Sequence, residues 1–70
     1  SMKVGDLVSL SAYGQKLTMY YKVNKCLGII TDIRGHVAGS AAERAELDYL
    51  VEFTNGCRHY AYRKETKYAK

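Results

Sequence analysis

Proline is absent from this 70-residue chain, and only two cysteines are present. Without proline, no candidate strand is vetoed for want of an amide donor. Cys26 and Cys57 are too few for the disulfide framework of a small secreted domain. They fall in neither a Cys-x-x-Cys nor a Cys/His spacing typical of zinc, so both are read as free thiols. Long apolar runs are also missing. Residues 27–30 form one of the longest, far short of the roughly 20 residues that cross a bilayer. The N-terminus turns polar at Gly5 and Asp6, unlike a secretory signal. There are no repeats, linkers or low-complexity tracts, and no glycine pattern of a phosphate loop or dinucleotide site. Asp6, Asp32, Asp48 and Glu52 are scattered, and no pair is spaced for acid–base work. The chain therefore reads as non-enzymatic, with no cofactor and no metal expected.

What is present is a hydrophobic fraction of 47%, too high for a disordered tail, in a length that suits one domain over residues 1–70. Ser1 ahead of Met2 reads as an expression remnant, with Met2 the native start of a small whole gene product. Three stretches read as clear strands: Leu7-Val8-Ser9-Leu10, the β-branched Ile29-Ile30-Thr31-Asp32-Ile33 opened by Gly28, and Asp48-Tyr49-Leu50-Val51-Glu52-Phe53-Thr54. Asn55-Gly56 predicts a type I′ hairpin turn into a return strand over residues 57–62. Residues 63–66 read as one helical turn and residues 67–69 as a short closing strand. Residues 11–27 are an irregular strand or a long loop. Ser40 and Glu43 have the spacing of a capping box, and the alanine-rich residues after Ser40 predict a short helical insertion around residues 40–47. The assembled expectation is a mostly β, strongly bent antiparallel sheet of five strands, closed into a small barrel to remove its edges.

This order resembles the SH3-like barrel, and in particular small phage-encoded proteins of that class. The resemblance is carried by Val4-Gly5-Asp6-Leu7-Val8, Gly28-Ile29-Ile30-Thr31-Asp32-Ile33, Tyr49-Leu50-Val51-Glu52-Phe53 and Tyr62-Arg63-Lys64-Glu65. Thr66 stands where a leucine often packs after the final helical turn, and the insertion over residues 35–47 is longer than a plain turn. The resemblance implies a binding or assembly module and names no ligand. A phage protein of this kind is expected in the host cytoplasm or the virion.

The candidate chemistry is that of binding. Cys57 and His59 share a strand face, with Cys26 and His36 the other potential ligands, but the spacing departs from ligand pairs used for zinc. Seven tyrosines are more than so small a core can bury. On the return strand Arg58, Tyr60 and Tyr62 alternate with Cys57, His59 and Ala61, which places the small residues inside and the Arg-Tyr-Tyr face outside. With Arg63, Lys64 and Lys67 they form the candidate site. Amphipathic rings suit a protein contact, and rings among cations also suit single-stranded nucleic acid. The net charge is +4, basic over residues 58–70 and acidic over residues 43–52. The leading expectation is an accessory or assembly protein that binds another protein or itself. The alternative is a nucleic-acid-binding barrel using the basic, tyrosine-rich last third.

Overall fold

The computed structural model describes residues 1–37 and 45–69. In chain order come β1 (Leu7–Leu10), a one-turn helix α1 (Ala12–Gln15), a first 3-10 turn (Thr18–Tyr20), β2 (Gly28–Val37), β3 (Ala45–Phe53), β4 (Arg58–Tyr62), a second 3-10 turn (Arg63–Glu65) and β5 (Thr66–Tyr68). All ladders are antiparallel, in the spatial order β4-β3-β2-β1-β5. Strand alternation builds the core on the inner face from Val8 and Leu10, Ile30, Tyr49, Val51, Phe53 and Ala61. Met2, Tyr20 and Val23 fill it from outside the sheet.

Two features of the expected fold are corrected. The sheet is open. Among the described residues β4 and β5 form no ladder, although they are consecutive strands and lie at its two edges. The second 3-10 turn intervenes, and side chains take edge groups that a closing strand would use. The Tyr60 carbonyl lies 2.9 Å from the Tyr20 hydroxyl, whose one proton it shares with Glu65, and the Tyr62 amide donates to the Glu65 carboxylate at 2.9 Å. The second correction concerns the insertion. Ala45, Glu46 and Leu47 belong to β3, paired with Val37, His36 and Gly35, rather than to a helix. Two helical turns close few hydrogen bonds, whereas the ladder extends one already formed. Residues 40–44 of that expected helix, including the Ser40–Glu43 capping box, lie outside the described residues.

Local chemistry explains the remaining path. The Asn55-Gly56 turn is not type I′, because that turn needs positive φ at both central residues and only Gly56 has it, at 89°. Instead the Gly56 amide donates to the Phe53 carbonyl at 2.9 Å, and Asn55 Oδ1 accepts from the Cys57 amide at 3.2 Å. Asn55 also ties this turn to the long loop by donating to the Lys22 carbonyl at 3.0 Å. In β2 the register shifts between Ile30 and Asp32, so Thr31 is a bulge. The extra residue lets both Ile30 and Ile33 face inward, and it turns Asp32 and Arg34 outward toward Leu50 and Asp48.

Candidate functional site

Residues 11–27 fold as a buttress for the second 3-10 turn. Ser11 caps α1 by accepting from the Gly14 amide at 3.0 Å. The same residue grips the turn, its amide donating to the Glu65 carbonyl at 2.9 Å and its hydroxyl to the Lys64 carbonyl at 2.7 Å. A Cβ on Gly14 would collide with the Glu65 carbonyl oxygen, so glycine here is a requirement of close packing. Glu65 is a buried carboxylate, and it accepts from the Tyr20 hydroxyl at 2.7 Å as well as from the Tyr62 amide. Burial, followed by the hydrogen bond and negative charge of Glu65, pushes the Tyr20 hydroxyl far above the usual phenol range. Thr66 is buried, and its hydroxyl donates back to the Arg63 carbonyl at 2.9 Å.

On this fixed turn the candidate residues divide into two groups. Arg58 and Tyr60 are exposed on the outer face of β4, with Tyr62 half-buried beside them; Ala61 is buried and His59 turned inward, as the alternation predicts. The His59 ring packs edge-on against Tyr20 and Phe53, with centroids 5.4 and 6.2 Å apart. On the outer β4 face the cation over Tyr60 is already engaged within the fold. The Arg34 guanidinium lies 3.7 Å over the Tyr60 ring, and its Nε donates to Asp48 Oδ2 at 3.2 Å. Arg58 faces Glu52 across the ladder.

Arg63, Lys64 and Lys67 belong to the other group, and no ion pair to them is seen among the described residues. Lys64 lies over the Tyr13 ring at 5.4 Å and Arg63 over the Tyr68 ring at 5.3 Å, with Lys22 over Tyr21 at 5.7 Å. All three rings are exposed. No Asp or Glu occurs between residues 7 and 31, and Glu65 is the one carboxylate from residue 53 onward. These two stretches together hold eight Lys and Arg residues. The acids are concentrated instead in residues 32–52, where Asp32, Glu43, Glu46, Asp48 and Glu52 outnumber Arg34 and Arg44. Tyr13, Tyr21 and Tyr68 were not among the expected site residues. For Tyr13 and Tyr21 the missing signal was the acid-free stretch in residues 7–31, visible in the sequence, together with the docking of that stretch on the turn, which is not.

A second surface lies on the outer face of β1 and β2. Leu7 and Ile29 are direct partners across the ladder, 55% and 39% exposed. With Leu27 and Phe53 they line an open groove of ≈ 440 Å³, edged by Glu52 and Thr54. A second depression, lined by Ser9, Leu27, Lys67, Tyr68 and Ala69, adjoins it through Leu27. Among the described residues no three His, Cys, Asp or Glu side chains gather as metal ligands, and no helix is long and apolar enough to cross a membrane. Comparison of the chain with models of known families, with curated proteins and with solved structures finds no match.

Proposed function

We propose that this chain is a non-enzymatic, SH3-like binding module that takes nucleic acid on the basic end formed by residues 11–25 and 63–68. The SH3-like reading is supported by the strand order and by the single 3-10 turn between the two edge strands. The nucleic-acid reading rests on one observation, the separation of charge. A net charge of +4 is modest, but along the sequence the acids are concentrated in residues 32–52 and the cations in residues 7–31 and 53–70. A phosphate backbone at the basic end meets Lys16, Arg63, Lys64 and Lys67 with no exposed carboxylate beside them in sequence.

Fluorescence anisotropy with labelled single-stranded and duplex oligonucleotides, at low and physiological salt, tests this reading. Binding is expected at low salt and is expected to weaken steeply as salt rises. The double variant Lys64→Glu/Lys67→Glu is expected to lose about ten-fold or more in affinity. No binding at low salt would remove the reading.

A second reading, a phage-type accessory or assembly protein, is favoured by the Leu7–Leu27–Ile29 groove. Here the occupant is a second copy of this chain. Glu52 borders the groove and Lys67 borders the depression joined to it, so a copy turned end for end sets opposite charges against each other. Light scattering at micromolar concentration tests it. A dimer that Ile29→Lys dissociates supports self-association, and a strict monomer ends it.

A further inference from the structure

We infer that the second 3-10 turn is a stacking clamp for unpaired bases, with Tyr13 and Tyr68 as the platforms and Lys64 and Arg63 as the phosphate-neutralising groups beside them. This rests on the nucleic-acid reading above and specifies its substrate as single-stranded.

Three observations carry it. First, the two rings are 47% and 43% exposed, each with a cation over one side, at 5.4 and 5.3 Å, that comes from neighbouring residues of one turn. Base–aromatic stacking needs an open ring face, and neutralising the phosphate needs a cation within reach of the same nucleotide. Second, the turn is preorganised. Ser11 holds the Lys64 and Glu65 carbonyls, Glu65 is held by Tyr20 and Tyr62, and Thr66 closes back on Arg63. Arg63 Nη1 also donates to the Thr66 carbonyl at 2.9 Å, fixing the guanidinium with donors to spare. Little ordering is left for a ligand to impose. Third, the carboxylate of the turn, Glu65, is buried and directed into the fold.

The β4 face differs in that the cation over its ring is already bonded to a carboxylate. A base seeking Tyr60 has to displace Arg34 from 3.7 Å over the ring, against its bond to Asp48. A duplex offers phosphates but hides its base faces, so stacking selects the single strand, whereas a purely electrostatic surface does not discriminate in this way.

The test compares a pyrimidine single strand with a duplex at one low salt concentration, for the intact chain and for Tyr13→Ala, Tyr68→Ala, Tyr13→Phe and Tyr68→Phe. Thermal melts accompany each variant to establish that it is folded. The expected result is single-strand affinity about ten-fold above duplex, a loss of about ten-fold in each folded alanine variant, and near-complete rescue by phenylalanine, which keeps the π face. Duplex binding as tight as single-strand binding, or folded alanine variants with unchanged affinity, overturns the clamp while leaving the nucleic-acid reading in place. No binding to either oligonucleotide overturns both.

Discussion

On the β4 side of the sheet the Arg34 guanidinium lies 3.7 Å over Tyr60, and at the second 3-10 turn the Arg63 guanidinium lies 5.3 Å from Tyr68. The side chains are the same and their surroundings differ. Arg34 is bonded to Asp48, a carboxylate 6% exposed on the neighbouring strand, so cation, ring and acid form a closed set. Arg63 bonds a backbone carbonyl, and the acid of its turn, Glu65, is engaged inside by Tyr20 and Tyr62. An Arg–Tyr pair therefore signals a binding surface only where no carboxylate has already taken the charge. What separates the two regions is the partner of the buried acid: for Asp48 on β3 it is the Arg34 cation, and for Glu65 at the turn it is the Tyr20 hydroxyl and the Tyr62 amide.

The largest expected effect follows from the inward acid. Tyr20→Ala opens a cavity at a ring 1% exposed and leaves Glu65 without its hydroxyl donor. Loss of about 3–5 kcal/mol is expected, a large part of the stability of so small a domain. Tyr60→Ala removes a ring that is partly exposed, for about 1 kcal/mol. Denaturant unfolding of the two variants measures the contrast; equal losses would mean that the turn is no better anchored than the β4 face.

Asp48→Asn moves the β4 face toward the condition of the turn. Removing the charge from a buried carboxylate bonded to Arg34 is expected to cost about 1–3 kcal/mol. It also releases the Arg34 cation, and oligonucleotide affinity at low salt is expected to rise a few-fold. Anisotropy on the folded variant reads this; unchanged affinity would place the bound strand away from the outer β4 face.

Alkaline pH probes the buried Tyr20 hydroxyl that meets the inward acid. Because the fold raises the Tyr20 pKa, the protonated phenol is favoured in the native state. That contribution is fully present below the unfolded phenol value, near 10, and is lost as pH rises from there toward the folded value. The thermal midpoint of the chain is therefore expected to fall more steeply above about pH 10 than that of Tyr20→Phe. Parallel pH profiles of the two proteins would show that the fold does not raise the Tyr20 pKa.

Much of the architecture was legible because it depends on near neighbours. β1, the hairpin of β3 and β4, and the 3-10 turn over Arg63–Glu65 follow from alternation and from Asn55-Gly56. The bulge at Thr31 was not legible, since inserting one residue into a β-branched run leaves no local mark, yet it decides which way Arg34 points. Tyr20 read as part of an ambiguous stretch because its partner, Glu65, lies 45 residues away. At the candidate site, Arg63, Lys64 and Lys67 were legible from charge alone. The engagement of Arg34 by Asp48, and the arrival of Tyr13 beside Lys64, depend on register and on docking across the chain.

The smallest expected effect sharpens the comparison most. Arg58 and Lys64 both sit in the basic last third and appear equivalent in the sequence, but Arg58 faces Glu52 across the β3–β4 ladder while Lys64 lies beside Tyr13. Both are exposed, so Arg58→Ala and Lys64→Ala should each change stability by no more than about 0.5 kcal/mol, and neither result should be confounded by unfolding. Binding should separate them. If Glu52 offsets Arg58, its removal alters low-salt oligonucleotide affinity by less than about two-fold, whereas Lys64→Ala weakens it several-fold and lowers the salt slope by about one phosphate contact. Equal losses from the two variants would mean that Glu52 does not shield Arg58 from the bound strand. The β4 face would then belong to the site together with the turn, and the contrast between the two regions would be one of geometry without consequence for binding.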